Sequence, residues 1–303
     1  MLKVGITGQH GFIGKHLYNT LGLYPDEFTR IDYKREIFEN EQLLDEFVSS
    51  CDVIIHLAAL NRHNESQVIY ETNLSLVKRL VVSLKRTKSK AHVLFSSSTQ
   101  EDRDNPYGHS KKEGRELLKQ WAAEANASFT GMVIPNVFGP FGHPYYNSVV
   151  ATFCYQLSRG ETPKIEVDGE LKLIYVADLA KQILDEIRSK KSCPELVIPH
   201  TRQIRVSALL DLLISYKSEY QEKGIIPVIN CRFESDLFNS YRCYMPIKDH
   251  FPVKFTQHQD ARGAFVEVVK LNGGGQVSFS TTKPGVTRGN HFHTRKIERF
   301  AVI

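Results

Sequence analysis

The run Lys3-Val4-Gly5-Ile6-Thr7-Gly8-Gln9-His10-Gly11-Phe12-Ile13-Gly14 constrains this chain more than any other segment. A short β-type stretch feeds directly into three evenly spaced glycines, and Lys15 to Leu21 continue as helix-compatible residues. A strand that turns so sharply into a helix needs a residue free of Cβ restrictions, which Gly8 supplies. Gly11 lets backbone N–H groups close on a pyrophosphate, and Gly14 lets the helix lie against the strand. A glycine triplet placed after a strand and before a helix specifies the first unit of a parallel sheet.

The rest of the chain carries the same alternation. β-type runs fall at 2–7, 27–32, 52–57, 92–97, 129–134 and 172–176. Helical patterns fall near 12–21, 40–49, 65–87, 107–126, 147–159 and 178–189. This predicts an α/β fold with a doubly wound parallel (Rossmann) sheet, whose ligand sits beyond the carboxyl ends of the strands. Gly8, Ser98 and Asn136 all fall at such ends. Residues 193–250 are less regular, with one helix near 206–222. Pro246 to Pro252 reads as a junction, followed by short β-type runs at 264–271, 276–282 and 297–303.

Bulk properties narrow the setting. Lys plus Arg exceed Asp plus Glu by 39 to 34, which suits a phosphorylated ligand but is too small an excess to argue for nucleic acid. Five scattered cysteines without a Cys-x-x-Cys argue against a disulfide framework and for a reducing cytoplasm. The first strand begins at residue 2, leaving no room for a signal peptide, and no apolar run is long enough for a bilayer.

Tyr107 and Lys111, in Asn105-Pro106-Tyr107-Gly108-His109-Ser110-Lys111, sit one helical turn apart and share a face. An ammonium beside a phenol is expected to lower the phenol's pKa from about 10. Such a tyrosine can exchange a proton with an alcohol oxygen while a hydride moves at the attached carbon.

Together the glycine run and the Tyr107–Lys111 pair resemble the extended short-chain dehydrogenase/reductases, which bind NAD(P) and work mostly on nucleotide-sugars. Asp52 to Ala59, Val93 to Ser98, Pro135 to Pro140 and Tyr175 to Ala180 match further segments in order. The resemblance covers roughly residues 1–245 and implies the roles. Ser98, Tyr107 and Lys111 would be catalytic. Gly8, Gly11, Phe12, Ile13, Gly14, Leu57, Ala58, Ala59, Asn73 and Lys111 would hold the cofactor. Ser98, Thr99, Asn136, His143 and Asn147 would meet the substrate. Asp32, eighteen residues after Gly14, stands where an acid binds the adenosine ribose of NAD. Arg30, Lys34 and Arg35 crowd the same place and suit a 2′-phosphate. The resemblance implies NADPH, with NADH possible.

A second signal lies near the end. In Gly285-x5-His291-x-His293-x4-Glu298 two imidazoles share one face of a strand and a carboxylate follows, a donor set that suits zinc. The spacing resembles a first cupin motif. Asp260-Ala261-Arg262-Gly263-Ala264-Phe265 resembles the sugar-nucleotide 3,5-epimerase cupins. A reductase joined to such a cupin resembles the CapF capsular polysaccharide biosynthesis enzymes, as does Tyr146 to Tyr155. No second cupin motif follows. The expected organisation is therefore a 1–245 reductase domain, a 246–254 linker and an incomplete cupin over 255–303.

The resemblance implies NADPH-dependent reduction of the C4 keto group of a UDP-linked 4-keto-6-deoxy-N-acetylhexosamine, on the route to UDP-N-acetyl-L-fucosamine, by a homodimer. A related 4,6-dehydratase would need an Asp-Glu pair where Thr99 and Gln100 stand, although Glu101 and Asp102 follow closely. An NAD-dependent UDP-sugar 4-epimerase uses the same Ser-Tyr-Lys set. A non-catalytic cofactor-binding scaffold would have no need of the phenol–ammonium pair.

Overall fold

The computed structural model describes residues 1–272, 274–287, 289 and 301. His291, His293, Glu298 and most of the 297–303 run lie outside the described residues. The chain divides into two compact units: Met1–Ile214 with Cys231–Met245, and Ser215–Asn230 with Pro246–Ile303.

In the first unit six parallel strands form one sheet in the order β2 (Phe28–Ile31), β1 (Leu2–Thr7), β3 (Val53–His56), β4 (His92–Ser98), β5 (Phe129–Ile134) and β8 (Cys193–Val197). The order reverses between β1 and β3, which opens a crevice at their carboxyl ends. β3 is buried throughout and β4 and β5 nearly so, because both sheet faces are covered. Alternate residues divide between two cores. Ile54, Val93, Phe95 and Phe129 join the core beneath α3 (Ser66–Arg86) and α4 (Pro106–Ala125). Val53, Ile55, Leu94 and Met132 join the core beneath α1 (Phe12–Leu21) and α6 (Val176–Ser189).

Local chemistry sets the helix entries. Asn105 Oδ1 accepts from Gly108 N (2.8 Å) with Pro106 in the first helical position of α4. Asn40 caps α2 (Glu41–Ser50), and Ser148 caps α5 (Val149–Ser158).

One expected strand has a different partner. β7 (Glu170–Tyr175), the 172–176 run, pairs with β6 (Asn136–Phe138) and β9 (Arg202–Arg205) in a separate three-stranded sheet. The sixth place in the main sheet goes to β8, which carries Pro194 and is half exposed. Such an edge strand lacks the apolar run that marks a buried one. α7 (Val206–Tyr216) continues as a π-helical turn over Lys217–Glu222, as the 206–222 pattern requires, and α8 (Arg232–Arg242) had no clear signal.

In the second unit β10 (Ile225–Ile226) runs parallel to β12 (Gly263–Leu271), and β11 (Gln257–Asp260) and β13 (Gln276–Ser280) pair antiparallel with β12. The 264–271 run is thus a strand, and so is the 276–282 run as far as Ser280.

Candidate active site

A cleft of about 1000 Å³ opens over the carboxyl ends of β1, β3, β4 and β5. Gly8 stands at its floor with φ +76°, and a Cβ there would lie 2.8 Å from Ala58 N. A Cβ on Gly14 would lie 2.3 Å from Gly8 O, so only glycine lets α1 approach β1 this closely. Gly11 caps α1 without any side-chain hydrogen bond, and no acidic residue stands in the first turn. The first N–H groups of a helix have no intrahelical partner, and here they face the cleft at the positive end of the helix dipole. This donor set fits the pyrophosphate of a dinucleotide.

Opposite the glycines, the three serines of β4 divide their tasks. Ser96 Oγ donates to the His56 carbonyl (3.1 Å), and Ser97 Oγ donates to the Glu101 carboxylate. Ser98 Oγ accepts from Gln100 N (3.2 Å), which leaves its own proton for a ligand. Lys111 is 3% exposed; its Nζ donates to Ser96 O (2.8 Å) and lies 5.6 Å from the Tyr107 ring centre. Burial pulls the Lys111 ammonium down to about 8, against the charge of Glu101, which holds it up.

The Tyr107 phenol does not follow the sequence expectation. Burial, then the neighbouring phenol of Tyr146, push it up to about 12. Lys111 spends its contact on the Ser96 carbonyl, so desolvation governs the phenol. Beneath them His56 is buried, its Nδ1 2.6 Å from Thr7 Oγ1, and burial and the Lys111 charge press it down to about 3.

Ser98, Tyr107, Lys111, Gly8, Gly11, Phe12, Ile13, Gly14, Leu57, Ala58, Ala59, Asn136, His143 and Asn147 all line this one cleft. Four expected residues do not. Asn73 is buried, its amide bonded to Leu60 N (2.7 Å), Leu60 O (3.1 Å) and Ser110 Oγ (3.2 Å); it holds the backbone that follows Leu57–Ala59. Thr99 is exposed beside the cleft, its N–H donating to Ile134 O (3.1 Å). Asp32 accepts from Tyr18 OH (3.1 Å), and Arg30 stacks on the Tyr18 ring at 4.2 Å, so both turn toward α1. Arg35 does line the cleft, as do Tyr33 and Arg79.

The structure adds Gln100, Arg79 and Tyr146 to the cleft as residues without an assigned role. Arg79 Nη1 donates to Phe38 O (2.7 Å), and Tyr146 OH accepts from Asn61 N (3.2 Å). Tyr146 lay within a segment already singled out; Arg79 had no sequence signal beyond its place on α3. Glu101 leaves the cleft altogether. It is buried in an ion pair with Arg115 (Nη2–Oε2 2.9 Å), while Asp102 is exposed. A dehydratase acid–base pair is therefore not assembled after Ser98.

No group of three metal-ligating side chains occurs among the described residues, and no helix among them is long and apolar enough to cross a membrane.

Residues 4–195 match the NAD dependent epimerase/dehydratase family, and residues 258–303 match the polysaccharide biosynthesis C-terminal domain. A UDP-2-acetamido-2,6-beta-L-arabino-hexul-4-ose reductase of Pseudomonas aeruginosa is 32% identical over 308 residues, spanning 100% of this chain and 80% of that protein. Among solved structures, the capsular polysaccharide assembling protein CapF from Staphylococcus aureus superposes with a TM-score of 0.81 at 32% identity, over 97% of this chain and 79% of that one. CapF with the inhibitor 3-isopropenyl-tropolone gives 0.77 at 28% identity, over 96% and 77%. Likeness at this level, running through both parts of the sequence, makes the chain a CapF-like member of the NAD dependent epimerase/dehydratase family.

Proposed function

We propose that this chain reduces the C4 keto group of a UDP-linked 4-keto-6-deoxy-N-acetylhexosamine, using NADPH, in capsule or O-antigen biosynthesis. The reading rests on one observation above the rest. Ser98, Tyr107 and Lys111 meet at the strand ends of a dinucleotide-sized cleft, and the residue that follows Ser98 into it is the amide Gln100 rather than an acid. An amide cannot move protons at the neighbouring sugar carbons. The relative's activity as a 4-ulose reductase points to the same chemistry.

When bound, the reduced nicotinamide supplies the hydride. Phe12, Ile13 and Gly14 N–H groups would hold its pyrophosphate, and Lys111 its ribose. The Ser98 hydroxyl, with Gln100 N on its lone pair, donates to the carbonyl oxygen and polarises it. Tyr107, pushed up to about 12, keeps its proton at neutral pH and delivers it to that oxygen as negative charge develops. Lys111 supplies positive charge behind the phenol. Asn136, His143 and Asn147 would orient the nucleotide-sugar. Asp32 is engaged by Tyr18 while Arg35 lines the cleft, and this favours NADPH over NADH.

The functional division we infer is a reductase over 1–245, a junction over 246–254 and a cupin-like segment over 255–303, in a homodimer. The His291–His293–Glu298 pattern is its candidate zinc site, which elemental analysis of untagged protein tests. The main test is NADPH oxidation with the UDP-4-keto sugar. Tyr107→Phe should lower kcat by roughly 10²- to 10⁴-fold with NADPH affinity unchanged; equal rates refute the reading. Tightly bound NAD with turnover in the absence of added cofactor would identify a 4-epimerase instead.

A further inference from the structure

We propose that Glu101 is a positioning residue for this reaction. Its buried ion pair with Arg115 ties the end of β4, which carries Ser98, to α4, which carries Tyr107 and Lys111. The proposal rests on the reductase reading above.

The pair is built rather than incidental. Arg115 Nε donates to Glu101 Oε1 (3.0 Å) and Nη2 donates to Oε2 (2.9 Å), a forked arrangement that fixes both planes. The two side chains are 7% and 6% exposed. Ser97 Oγ donates to the same carboxylate, so the strand residue before Ser98 is held by it too. Glu101 N donates to Ser98 O (3.0 Å), which closes the turn around Ser98. Arg115 is anchored in turn at Pro194 O (3.3 Å) and Glu195 (3.1 Å).

Two glycines admit this arrangement. A Cβ on Gly131 would lie 2.6 Å from Arg115 Cδ and 2.4 Å from Pro194 O. A Cβ on Gly108 would lie 2.1 Å from Gln100 O, so the first turn of α4 packs on the turn that Glu101 ends.

Arg115 stands one turn beyond Lys111 on α4. The ion pair therefore spans the two elements whose separation sets the Ser98–Tyr107 distance. The charged and titratable groups around Lys111 are Glu101 from the β4–α4 turn, His56 from β3 and Tyr107 from its own helix. Of these, Glu101 is the anion, and it holds the Lys111 ammonium up against its burial.

The test is Glu101→Gln, which keeps an acceptor for Ser97 but removes the charge. Two quantities are read on folded protein: kcat against KM with NADPH and the 4-keto sugar, and the Lys111 titration followed by NMR of its terminal carbon without substrate. The expected result is a kcat loss of roughly 10- to 100-fold with both KM values nearly unchanged, and a Lys111 titration moved to lower pH. A purely structural role would lower only the melting temperature. An unchanged kcat or an unmoved Lys111 titration overturns the proposal. Should the single variant not fold, Glu101→Gln with Arg115→Met leaves no unpaired buried charge, and its kcat against KM is read in the same way; the Lys111 titration is read only on the single variant, because losing the Arg115 charge opposes losing that of Glu101. A wild type that does not oxidise NADPH with this sugar refutes the reductase reading on which the proposal rests, whereas an active wild type with an unimpaired Glu101→Gln refutes the proposal alone.

Discussion

Gly11 and Gly14 stand in one motif yet are expected to fail in different ways. An alanine Cβ at position 14 would lie 2.3 Å from Gly8 O, 2.7 Å from Gln9 Cα and 2.9 Å from the Gln9 carbonyl carbon. All three are backbone atoms, so no rotamer change relieves the clash and β1 must separate from α1. Overpacking of this kind costs about 1–3 kcal/mol, or roughly 2–12 °C in melting temperature for a domain of this size. At position 11 the nearest atom is Gly8 O at 3.2 Å, and the residue has φ −74°, which an alanine adopts without strain. Its methyl would instead stand where the pyrophosphate approaches. Losing one N–H bond to a charged oxygen removes about 1.5–3 kcal/mol, or roughly 10- to 150-fold in affinity. Thermal melts without ligand and fluorescence titration with NADPH separate the two effects. Gly14→Ala should melt early, whereas Gly11→Ala, which asks Gly8 O to yield only a few tenths of an ångström, should lose much less melting temperature and bind NADPH weakly. Full NADPH affinity in Gly11→Ala would show that this loop does not cradle the phosphates. A wild-type melt of Gly14→Ala would show that the close helix–strand approach is not needed.

Further expectations concern charge. Arg35→Ala should raise KM for NADPH by roughly 10-fold or more while leaving KM for NADH nearly unchanged, since the 2′-phosphate assigned to it is the charged group that NADH lacks; equal effects on both cofactors count against the assignment. His56 and His92 are held neutral by burial, at about 3 and about 4 against an ordinary 6.5. The unfolded chain binds protons first as pH falls, so the histidines' contribution to stability should be complete above about 6.5 and decline as pH drops toward 4. Urea midpoints across that range measure it, and a flat profile refutes it. Lys111 titrates near 8 in the folded chain against 10.5 when free, so stability should rise with pH between those values. Lys111→Met removes the buried charge and should raise the melting temperature at pH 7 while abolishing turnover; a lower melting temperature contradicts the burial argument.

The parts of the site that could be read from the residues are those whose geometry is settled within a few positions. The strand–glycine–helix unit follows from φ at Gly8 and the absence of a Cβ at Gly14, and the Tyr107–Lys111 face follows from one helical turn and an Asn105-Pro106 cap. β3 and the Val93–Phe95 stretch of β4 announced themselves by continuous apolar runs, because both of their sides are covered, whereas polar residues and glycine interrupt β1 and β5. The remaining features depend on partners far along the chain. β7 and β8 differ in which neighbour their edges meet, and edge pairing leaves little mark on composition. Asp32 stands at the expected spacing, yet Tyr18 captures its carboxylate. Gln100 enters the cleft and Glu101 leaves it because Arg115, fourteen residues onward, offers a buried guanidinium that a carboxylate can satisfy and an amide cannot. Local sterics and periodicity act between neighbours and are written in order along the chain. The direction in which a charged side chain turns is set by where a counter-charge and a dry space coincide, which exists only once the sheet has assembled.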